Sequence, residues 1–403
     1  MSLDIAWLAS AEGQLLIAQA RSVRATATDI DRLRRANPHL DVELIGSALH
    51  QAWLGQRAAA RWGTETQFLL TTDGLAQATR PAVSQFHAQW VTENISPLAH
   101  VVDLTCGLGF DAYAFAKAGH RVTAIERDPE IAALAQHNLR NLDVTVLHAD
   151  AVEYEIPRDA DVIFVDPARR DPDAAKTAEG NTVRSLNPHT WSPSWSFVKS
   201  LAHTHRVMAK VAPGIDDSAI GDWDAAFVSC DRDLVEAMVT SHGSAARSAV
   251  LLENGHSEVI PGSDTASPSP IGQYLVVPDP ALTRARALGW LSHVVDGGLV
   301  NEHIGWITTS NIDAIVALEQ RSPRLAMVVK IDADIAYSPK TIKRAVAEHS
   351  PSSVTIMTRG VKLDVEAVRR HLSSTFVSSG YELVIAIYRD DNGTRALLCR
   401  RLT

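Results

Sequence analysis

VVDLTCGLGFDA, residues 101–112, is an apolar strand that ends in an acidic residue, Asp103, and runs into a glycine-rich turn that opens a helix. Gly107 and Gly109 lack a Cβ, so the backbone there can pass close to a bulky ligand. The helix that follows presents N–H groups and a positive dipole end to that ligand. Glu126 ends the next strand, 19 residues after Gly107, where its carboxylate can accept hydrogen bonds from both hydroxyls of a ribose.

From this segment onward, short apolar strands alternate with helical stretches. In order they read VVDL, FDAYAFAKAG, VTAIE, PEIAALAQHNLR, VTVLH and VIFVD, then HRVMAKV, AAFVSC, the helical DLVEAMV, and SAVLLE. Strands separated by helices of this length predict parallel β-α-β units. We therefore expect an α/β fold with a doubly wound, Rossmann-like sheet of about seven strands by Glu253.

Three acidic residues restrict the choice of ligand. Asp103, at the end of its strand, is placed to meet a cationic amino group, which a pyrophosphate lacks. Asp150, in LHADA after the third strand, is placed to accept a hydrogen bond from an adenine amino group. Asp166-Pro167 closes the strand VIFV where the fourth strand of a parallel sheet would end, at the topological switch point.

With these features in order over about 150 residues, the segment resembles the class I S-adenosylmethionine (SAM)-dependent methyltransferases. The resemblance implies methyl transfer as the activity and SAM as the cofactor. The cofactor site that it implies consists of Asp103, Cys106, Gly107, Gly109, Asp111, Glu126, Arg127, Asp150 and Ala151. A Rossmann-like domain that uses NAD, or no cofactor, is the alternative.

A second resemblance concerns the substrate. DLTCGLGFDAYAFAKAGHRVTAIERDP is similar to RNA-modifying members of the superfamily, including the trimethylguanosine synthase type. YLVVPDPALTRA and SVTIMTRGVKLDVEAVRRHL are similar to bacterial proteins with a THUMP-like C-terminal domain, which implies RNA binding. The expected domains are an N-terminal helical region (1–80), a methyltransferase domain (81–262), a linker and connector (263–320) and a small α/β THUMP-like domain (321–403).

The fourth motif, DPARR at residues 166–170, departs from the family pattern. Enzymes that methylate exocyclic amino groups usually carry a second proline and an aromatic residue that stacks on the base. Asp166 keeps an acceptor for an amine proton, so we expect Asp166, Pro167 and Arg169 to form the catalytic site. Arg169 and Arg170 can hold a phosphate or stack on a base, with Arg170 assigned to substrate binding. An ion pair with a neighbouring aspartate is the alternative.

Other candidate residues follow the fourth and fifth strands. Trp191 and Trp195, in TWSPSW, are expected to offer a stacking surface to substrate, with core or lid packing as the alternative. Lys210 is expected to point into the same crevice and contact substrate phosphate, unless it is an ordinary exposed lysine. Cys106 is interpreted as a small packing residue of the turn. Methylation at C5 of a pyrimidine would need a nucleophilic cysteine near the fourth or sixth strand, and only Cys230 is even roughly placed for it.

Composition and charge limit the class of protein and the kind of partner. The chain is 46% hydrophobic and 21% charged, as expected of a folded globular protein. Its net charge of -9 is uneven, because residues 321–403 carry 14 Lys and Arg against 8 Asp and Glu, or +6, whereas the preceding 320 residues carry -15. This asymmetry favours an RNA or other polyanion partner, with a solvated basic surface as the alternative.

Targeting and metal signals are not found in the sequence. The N-terminus has no secretory pattern and no window reaches eighteen apolar residues, so we expect a cytoplasmic protein that does not bind a membrane. The three cysteines lack CxxC spacing and the sixteen histidines lack HExxH spacing, so we expect no disulfide and no metal.

These patterns favour an RNA methyltransferase in which SAM lies across the ends of the first two strands, with its sulfonium aimed at Asp166. A base nitrogen of RNA is the expected target. Two alternatives stay open: a SAM-binding RNA-interaction protein without catalysis, and a methyltransferase of a small molecule or protein.

Overall fold

A computed structural model describes residues 4–22, 27–63, 66–168, 187–263, 265–322 and 324–402. The chain divides into two compact units. The first consists of Met1–Asp224 and Met238–Ser244, and the second of Ala225–Ala237 and Ala245–Thr403.

The first unit begins with helices, as the sequence predicts for its N-terminal region. They are α1 (Ile5–Ala9), α2 (Ala11–Arg21), α3 (Ala27–Ala36), α4 (Val42–Trp62), α5 (Thr72–Gln77) and α6 (Pro81–Asn94). The side chain of Ser10 caps α2 by accepting a hydrogen bond from Gly13 N at 3.1 Å. Leu16 of α2 and Leu54 of α4 are buried in one core with Leu134, so these helices pack against the segment that follows them.

Parallel strands form the centre of the first unit. Its further elements are β1 (His100–Asp103), α7 (Phe110–Lys117), β2 (Arg121–Glu126), α8 (Pro129–Leu139), β3 (Val144–His148), β4 (Val162–Val165), a 3-10 turn (Pro188–Thr190), α9 (Trp195–Leu201), β5 (Val207–Val211) and α10 (Asp217–Ile220). The strands lie in the order β3-β2-β1-β4-β5, and every neighbouring pair is parallel. All residues of β1 and β4 are buried, as expected of central strands covered on both faces.

The segment DLVEAMV is a strand, β7 (Asp233–Thr240), and its prediction as a helix was wrong. The end of β7 lies beside β5 in the first unit, where Ser241 N donates to Val207 O at 2.9 Å and Val207 N donates to Ser241 Oγ at 2.8 Å. A seven-residue segment is too short for its periodicity to separate a strand from a helix.

The second unit contains the rest of β7 and two further groups of strands. Beside β7 lies β6 (Asp224–Cys230), which pairs in parallel with β8 (Arg247–Glu253), and β8 pairs antiparallel with β9 (His256–Pro261). The later elements are β10 (Tyr274–Pro278), α11 (Pro280–Arg284), α12 (Leu288–Val294), β11 (Gly298–Asn301), β12 (Ile304–Thr309), α13 (Ile312–Arg321), β13 (Ala326–Ala336), α14 (Pro339–His349), β14 (Ser353–Arg359), α15 (Val365–Leu372), a 3-10 turn (Ser373–Thr375), β15 (Glu382–Asp390) and β16 (Gly393–Arg401).

These later strands form one sheet in the order β11-β12-β10-β13-β16-β15-β14, in which only β14 and β15 pair in parallel among the described strands. The strands β10 to β12 come from the stretch 263–320, for which we expected a linker and connector. Alternate residues of β15 point to opposite faces, and Leu383 to Tyr388 are all buried. One face packs with Ile342 and Leu372, the other with Trp306, so this sheet has a core on each side.

Candidate functional site

The turn after β1 brings the backbone close to the end of β2. Gly107 and Gly109 have φ angles of 55° and 91°, in the left-handed region that favours glycine. A Cβ added at Gly109 would lie 2.8 Å from Leu139 Cδ1, whereas one added at Gly107 would meet no atom within 4 Å. The space beside Gly107 is therefore open for a ligand, as the sequence analysis expects, and Gly109 is required by packing.

Glu126 is held in place by backbone N–H groups. Its Oε2 accepts a hydrogen bond from Gly107 N at 3.0 Å, and its Oε1 accepts one from Asp128 N at 2.9 Å. Each carboxylate oxygen can accept more than one hydrogen bond, so both keep capacity for the hydroxyls of a ribose. The end of β2 and the glycine turn are thus joined through one carboxylate.

Asp103 is almost completely buried, with 1% of its surface exposed. Its Oδ1 accepts a hydrogen bond from Thr105 N at 3.1 Å, but no group in the described part of the chain donates to its Oδ2. Burial raises the pKa of Asp103 well above its usual value, and the negative charges of Asp111, Asp166 and Glu126 raise it further. A ligand that brought a cationic N–H group to Oδ2 would relieve both effects.

Asp150 follows β3 and forms a turn of its own, in which Val152 N donates to its Oδ1 at 2.8 Å. Arg127, after β2, accepts at its carbonyl from His148 Nε2 at 3.1 Å and donates from its guanidinium to Ser192 Oγ at 3.3 Å. Ala151 is buried beside Asp150. The carboxyl ends of parallel strands meet at one edge of a sheet, and these residues lie at that edge with Asp103 and Glu126.

Asp166 lies where β4 ends and is joined to both neighbouring strands. Its N–H donates to Thr105 Oγ1 at 2.7 Å, and its Oδ2 accepts a hydrogen bond from Lys210 Nζ, on β5, at 2.5 Å. Pro167 is buried. Lys210 points into this crevice as the sequence analysis expects, with its ammonium on Asp166. Arg169 and Arg170 lie outside the described residues.

Lys210 belongs to a chain of hydrogen bonds that was not predicted from the sequence. We call it the Lys210 network, and it consists of Asp166, Lys210, Thr79, Asp111 and His87. Lys210 Nζ donates to Thr79 Oγ1 at 3.0 Å, and Thr79 Oγ1 lies 2.5 Å from Asp111 Oδ2, to which it donates. His87 Nδ1 lies 2.8 Å from Asp111 Oδ1, and because an ionised carboxylate only accepts, the ring nitrogen is the donor.

Burial of Asp111 acts to raise its pKa, but its partners reverse the direction. The hydrogen bond and charge of His87, the charge of Lys210 and the hydrogen bond of Thr79 bring the pKa of Asp111 below its usual value. Asp111 was predicted as a cofactor contact, and in the structure its carboxylate binds Thr79 and His87. The sequence carries no motif for either partner, because their contacts depend on how α6 packs on α7.

Three other candidate residues are buried. Trp191 and Trp195 pack edge to face with their ring centroids 5.9 Å apart, and Trp195 Nε1 donates to Ala219 O at 2.8 Å. Their function in stacking on substrate stays a prediction. Burial, together with the charges of Asp103 and Glu126, raises the pKa of the Cys106 thiol well above its usual value, consistent with packing rather than reactivity.

The described residues contain no helix that is both long enough and apolar enough to cross a membrane. Within the same ranges, no three His, Cys, Asp or Glu side chains are grouped so that they could hold a metal ion.

Two family models match the chain. The model described as a methyltransferase domain matches residues 101–189, and the model described as THUMP domain-like matches residues 328–401. The first match covers the glycine turn, the ends of β1 to β4 and the fourth motif. The second covers β13 to β16 and the two helices between them, so the predicted resemblances to a methyltransferase domain and to a THUMP-like domain are confirmed.

Relatives and a solved structure agree with these matches. An uncharacterized SAM-dependent methyltransferase of Mycobacterium tuberculosis (strain H37Rv) is 26% identical over 337 residues, which are 79% of this chain and 86% of the relative. A ribosomal RNA small subunit methyltransferase J of Rhodopseudomonas palustris (strain CGA009) is 36% identical over 113 residues, 25% of this chain and 54% of the relative. The crystal structure of a candidate methyltransferase from Porphyromonas gingivalis W83 matches with a TM-score of 0.71 and 19% identity, over 97% of this chain and 98% of that chain.

Proposed function

We propose that this SAM-dependent methyltransferase, which carries a THUMP-like domain, methylates a base nitrogen of RNA. The observation that carries the proposal is Asp166, whose Oδ2 is held by Lys210 while no described residue donates to its Oδ1. A nitrogen that accepts a methyl group must lose a proton. A carboxylate fixed through one oxygen can orient that nitrogen and accept the proton on the other.

The cofactor site that we propose uses Asp103, Gly107, Glu126 and Asp150 from the set predicted from the sequence. Asp103 Oδ2, buried and without a donor among the described residues, suits the ammonium of SAM. We assign Glu126 to the ribose hydroxyls and Asp150 to the adenine amino group, with the open side of Gly107 allowing close approach. When bound, SAM supplies a methyl group on a positively charged sulfur. The excess of carboxylates around Asp103 favours a positively charged ligand over NAD, whose pyrophosphate is negative.

The catalytic contribution of the chain would be alignment and proton acceptance. Because the methyl donor is already reactive, most of the rate enhancement comes from holding the target nitrogen in line with it. Asp166 Oδ1 would accept the hydrogen of the nitrogen, and the proton would pass from there to water. We assign Pro167 to shaping the end of the strand, and Arg169 and Arg170 to the phosphates or bases of the RNA.

An RNA substrate is favoured by one relative that is named a ribosomal RNA methyltransferase and by the charge of the C-terminal residues. Several arginines there are paired with carboxylates of their own sheet, such as Arg400 with Asp332 and Arg401 with Glu382. Lys362 and Arg389 are exposed, have no carboxylate partner in the described ranges, and line a cavity of about 360 Å³. We propose that these two side chains contact RNA phosphates.

The proposal is tested by incubating the full chain with labelled SAM and total RNA from cells that lack the gene, followed by mass spectrometry of the nucleosides. Wild-type protein should label one methylated nucleoside. Asp166→Ala should lower transfer about a hundredfold or more, with the Kd for SAM changed less than about twofold because Asp166 is assigned to the substrate. Asp143→Ala, which removes an exposed carboxylate before β3, is the matched control and should act like wild type.

Other results would favour the alternatives. Binding of both SAM and RNA without transfer would indicate a SAM-binding RNA-interaction protein, the alternative suggested by the missing second proline and aromatic residue at 166–170. Label in a small molecule or a protein, and none in RNA, would indicate a different substrate class. Unchanged transfer by Asp166→Ala would refute the function that we assign to Asp166.

A further inference from the structure

The Lys210 network connects Asp166 to four other parts of the first unit. Lys210 comes from β5, Thr79 precedes α6, His87 lies on α6, and Asp111 lies in the first turn of α7. Thr79, His87 and Asp111 are 6%, 0% and 8% exposed. Burying so many polar groups is unfavourable unless each has its partners, and packed apolar residues of similar volume are often as stable. Stability alone therefore gives no reason for this arrangement.

The direction of each hydrogen bond is determined by chemistry. Lysine can only donate, so the Thr79 hydroxyl accepts from Lys210, and its single O–H is then given to Asp111. His87 donates to the other oxygen of Asp111. The hydroxyl of Thr79 thus links the buried His87–Asp111 pair to the Lys210–Asp166 pair.

We infer that Thr79, Asp111 and His87 are positioning residues, which hold the Lys210 ammonium on one oxygen of Asp166 and so present the other oxygen to the target nitrogen. The inference rests on the function proposed for Asp166. A lysine has four rotatable side-chain bonds, and without a second anchor its ammonium can leave Asp166 for solvent. Thr79 supplies that anchor, and Asp111 and His87 hold Thr79.

The first test uses Thr79→Val, which removes the hydroxyl at nearly constant volume, and Thr79→Ser, which keeps it. Thr92→Val is the matched control, because the Thr92 hydroxyl, on α6, donates to Ala88 O at 3.0 Å outside the network. The rate at which formaldehyde and cyanoborohydride methylate Lys210 in the full chain, followed by mass spectrometry, reports how firmly its ammonium is held. Thr79→Val should raise that rate roughly fivefold. The serine variant and the control should stay near wild type.

The second test measures methyl transfer to total RNA with the same proteins. Thr79→Val should lower kcat roughly tenfold, with KM for RNA and Kd for SAM nearly unchanged, and Thr79→Ser should restore kcat. A general structural defect in Thr79→Val would instead change its KM for RNA and its Kd for SAM together with kcat.

The two measurements separate failure of the inference from failure of the proposed function. An unchanged labelling rate in Thr79→Val would overturn the network whatever the activity. A raised labelling rate with unchanged kcat would overturn the positioning function. If the wild-type chain transfers no methyl group to RNA, the proposed function fails, and the labelling result alone decides whether Thr79 holds Lys210.

Discussion

Asp103 is unfavourable to the folding of the free chain, and we propose that it is favourable to the binding of SAM. Its carboxylate is buried with one oxygen that lacks a donor among the described residues, so ionising it costs free energy in the free chain. A carboxyl whose pKa is raised by folding contributes stability that is fully present below its ordinary pKa and is lost as the pH rises through the raised value. The free energy of unfolding of the SAM-free chain should therefore fall with increasing pH across that window.

Asp103→Asn should remove this pH dependence. We expect the variant to be more stable than wild type by about 1 kcal/mol at neutral to mildly alkaline pH when SAM is absent, and to bind SAM roughly tenfold or more weakly. Urea denaturation over a pH series and calorimetric titration with SAM measure the two effects, with Asp143→Asn as the control. Wild-type SAM affinity in Asp103→Asn would show that Asp103 does not face the cation.

At the level of single residues, the positions that could be predicted from the sequence were those of side chains at strand ends. Asp103, Glu126 and Asp166 lie at one edge because parallel strands bring their carboxyl ends together, which the β-α-β pattern already implies. Thr79 and His87 were not predicted. Their contacts with Asp111 span 32 and 24 residues and depend on helix packing, for which the sequence has no periodic signal.

The turn between β1 and α7 uses its two glycines differently, and this gives a prediction at the scale of an element. Both have positive φ, so a Cβ at either costs about 1 kcal/mol of strain. At Gly109 it would also press on Leu139 of α8, whereas at Gly107 the space is open. We expect Gly109→Ala to destabilise the chain by about 2–4 kcal/mol and Gly107→Ala by about 1 kcal/mol.

The two alanine variants should show the reverse order in their effect on SAM binding. Gly107→Ala places a methyl group in the space that we assign to SAM, so its Kd should rise more than that of Gly109→Ala, once both proteins are compared below their unfolding transitions. Urea denaturation measures the loss of stability and calorimetric titration measures the Kd for SAM, so the two together test these opposite orders. Equal loss of stability in both variants would contradict the packing function of Gly109.

Whether an element was predicted correctly depended on its length and on its neighbours. The helices α7 and α8 follow strands in a regular alternation, and both were predicted. The strand β7 was mistaken for a helix because it breaks that alternation, following β6 directly, and because seven residues do not distinguish the two periods. The stretch that holds β10 to β12 was predicted as a linker and connector because residues 262–270 are rich in small residues and prolines, which are typical of a linker.

At the scale of the whole molecule, charge is divided along the chain and partly cancelled within it. The C-terminal residues carry an excess of +6, but pairs such as Arg395 with Asp334 neutralise part of that charge on the sheet itself. The charges able to meet a polyanion are those that have no such partner in the described ranges. The predicted cytoplasmic location and the domain boundaries at 80, 262 and 320 stay predictions.

Reversing two of those charges should therefore weaken RNA binding more than an equal change in net charge elsewhere on the protein. We expect Lys362→Glu with Arg389→Glu to lower RNA affinity at least tenfold and to reduce the slope of log K against log salt by about two, because each side chain is assigned to one phosphate. The matched control is Lys117→Glu with Arg158→Glu, an equal charge change at exposed positions where α7 ends and before β4 begins, at the edge of the sheet opposite Asp166. Binding measured at several salt concentrations distinguishes local contacts from a general electrostatic effect, since a general effect would weaken both double variants equally.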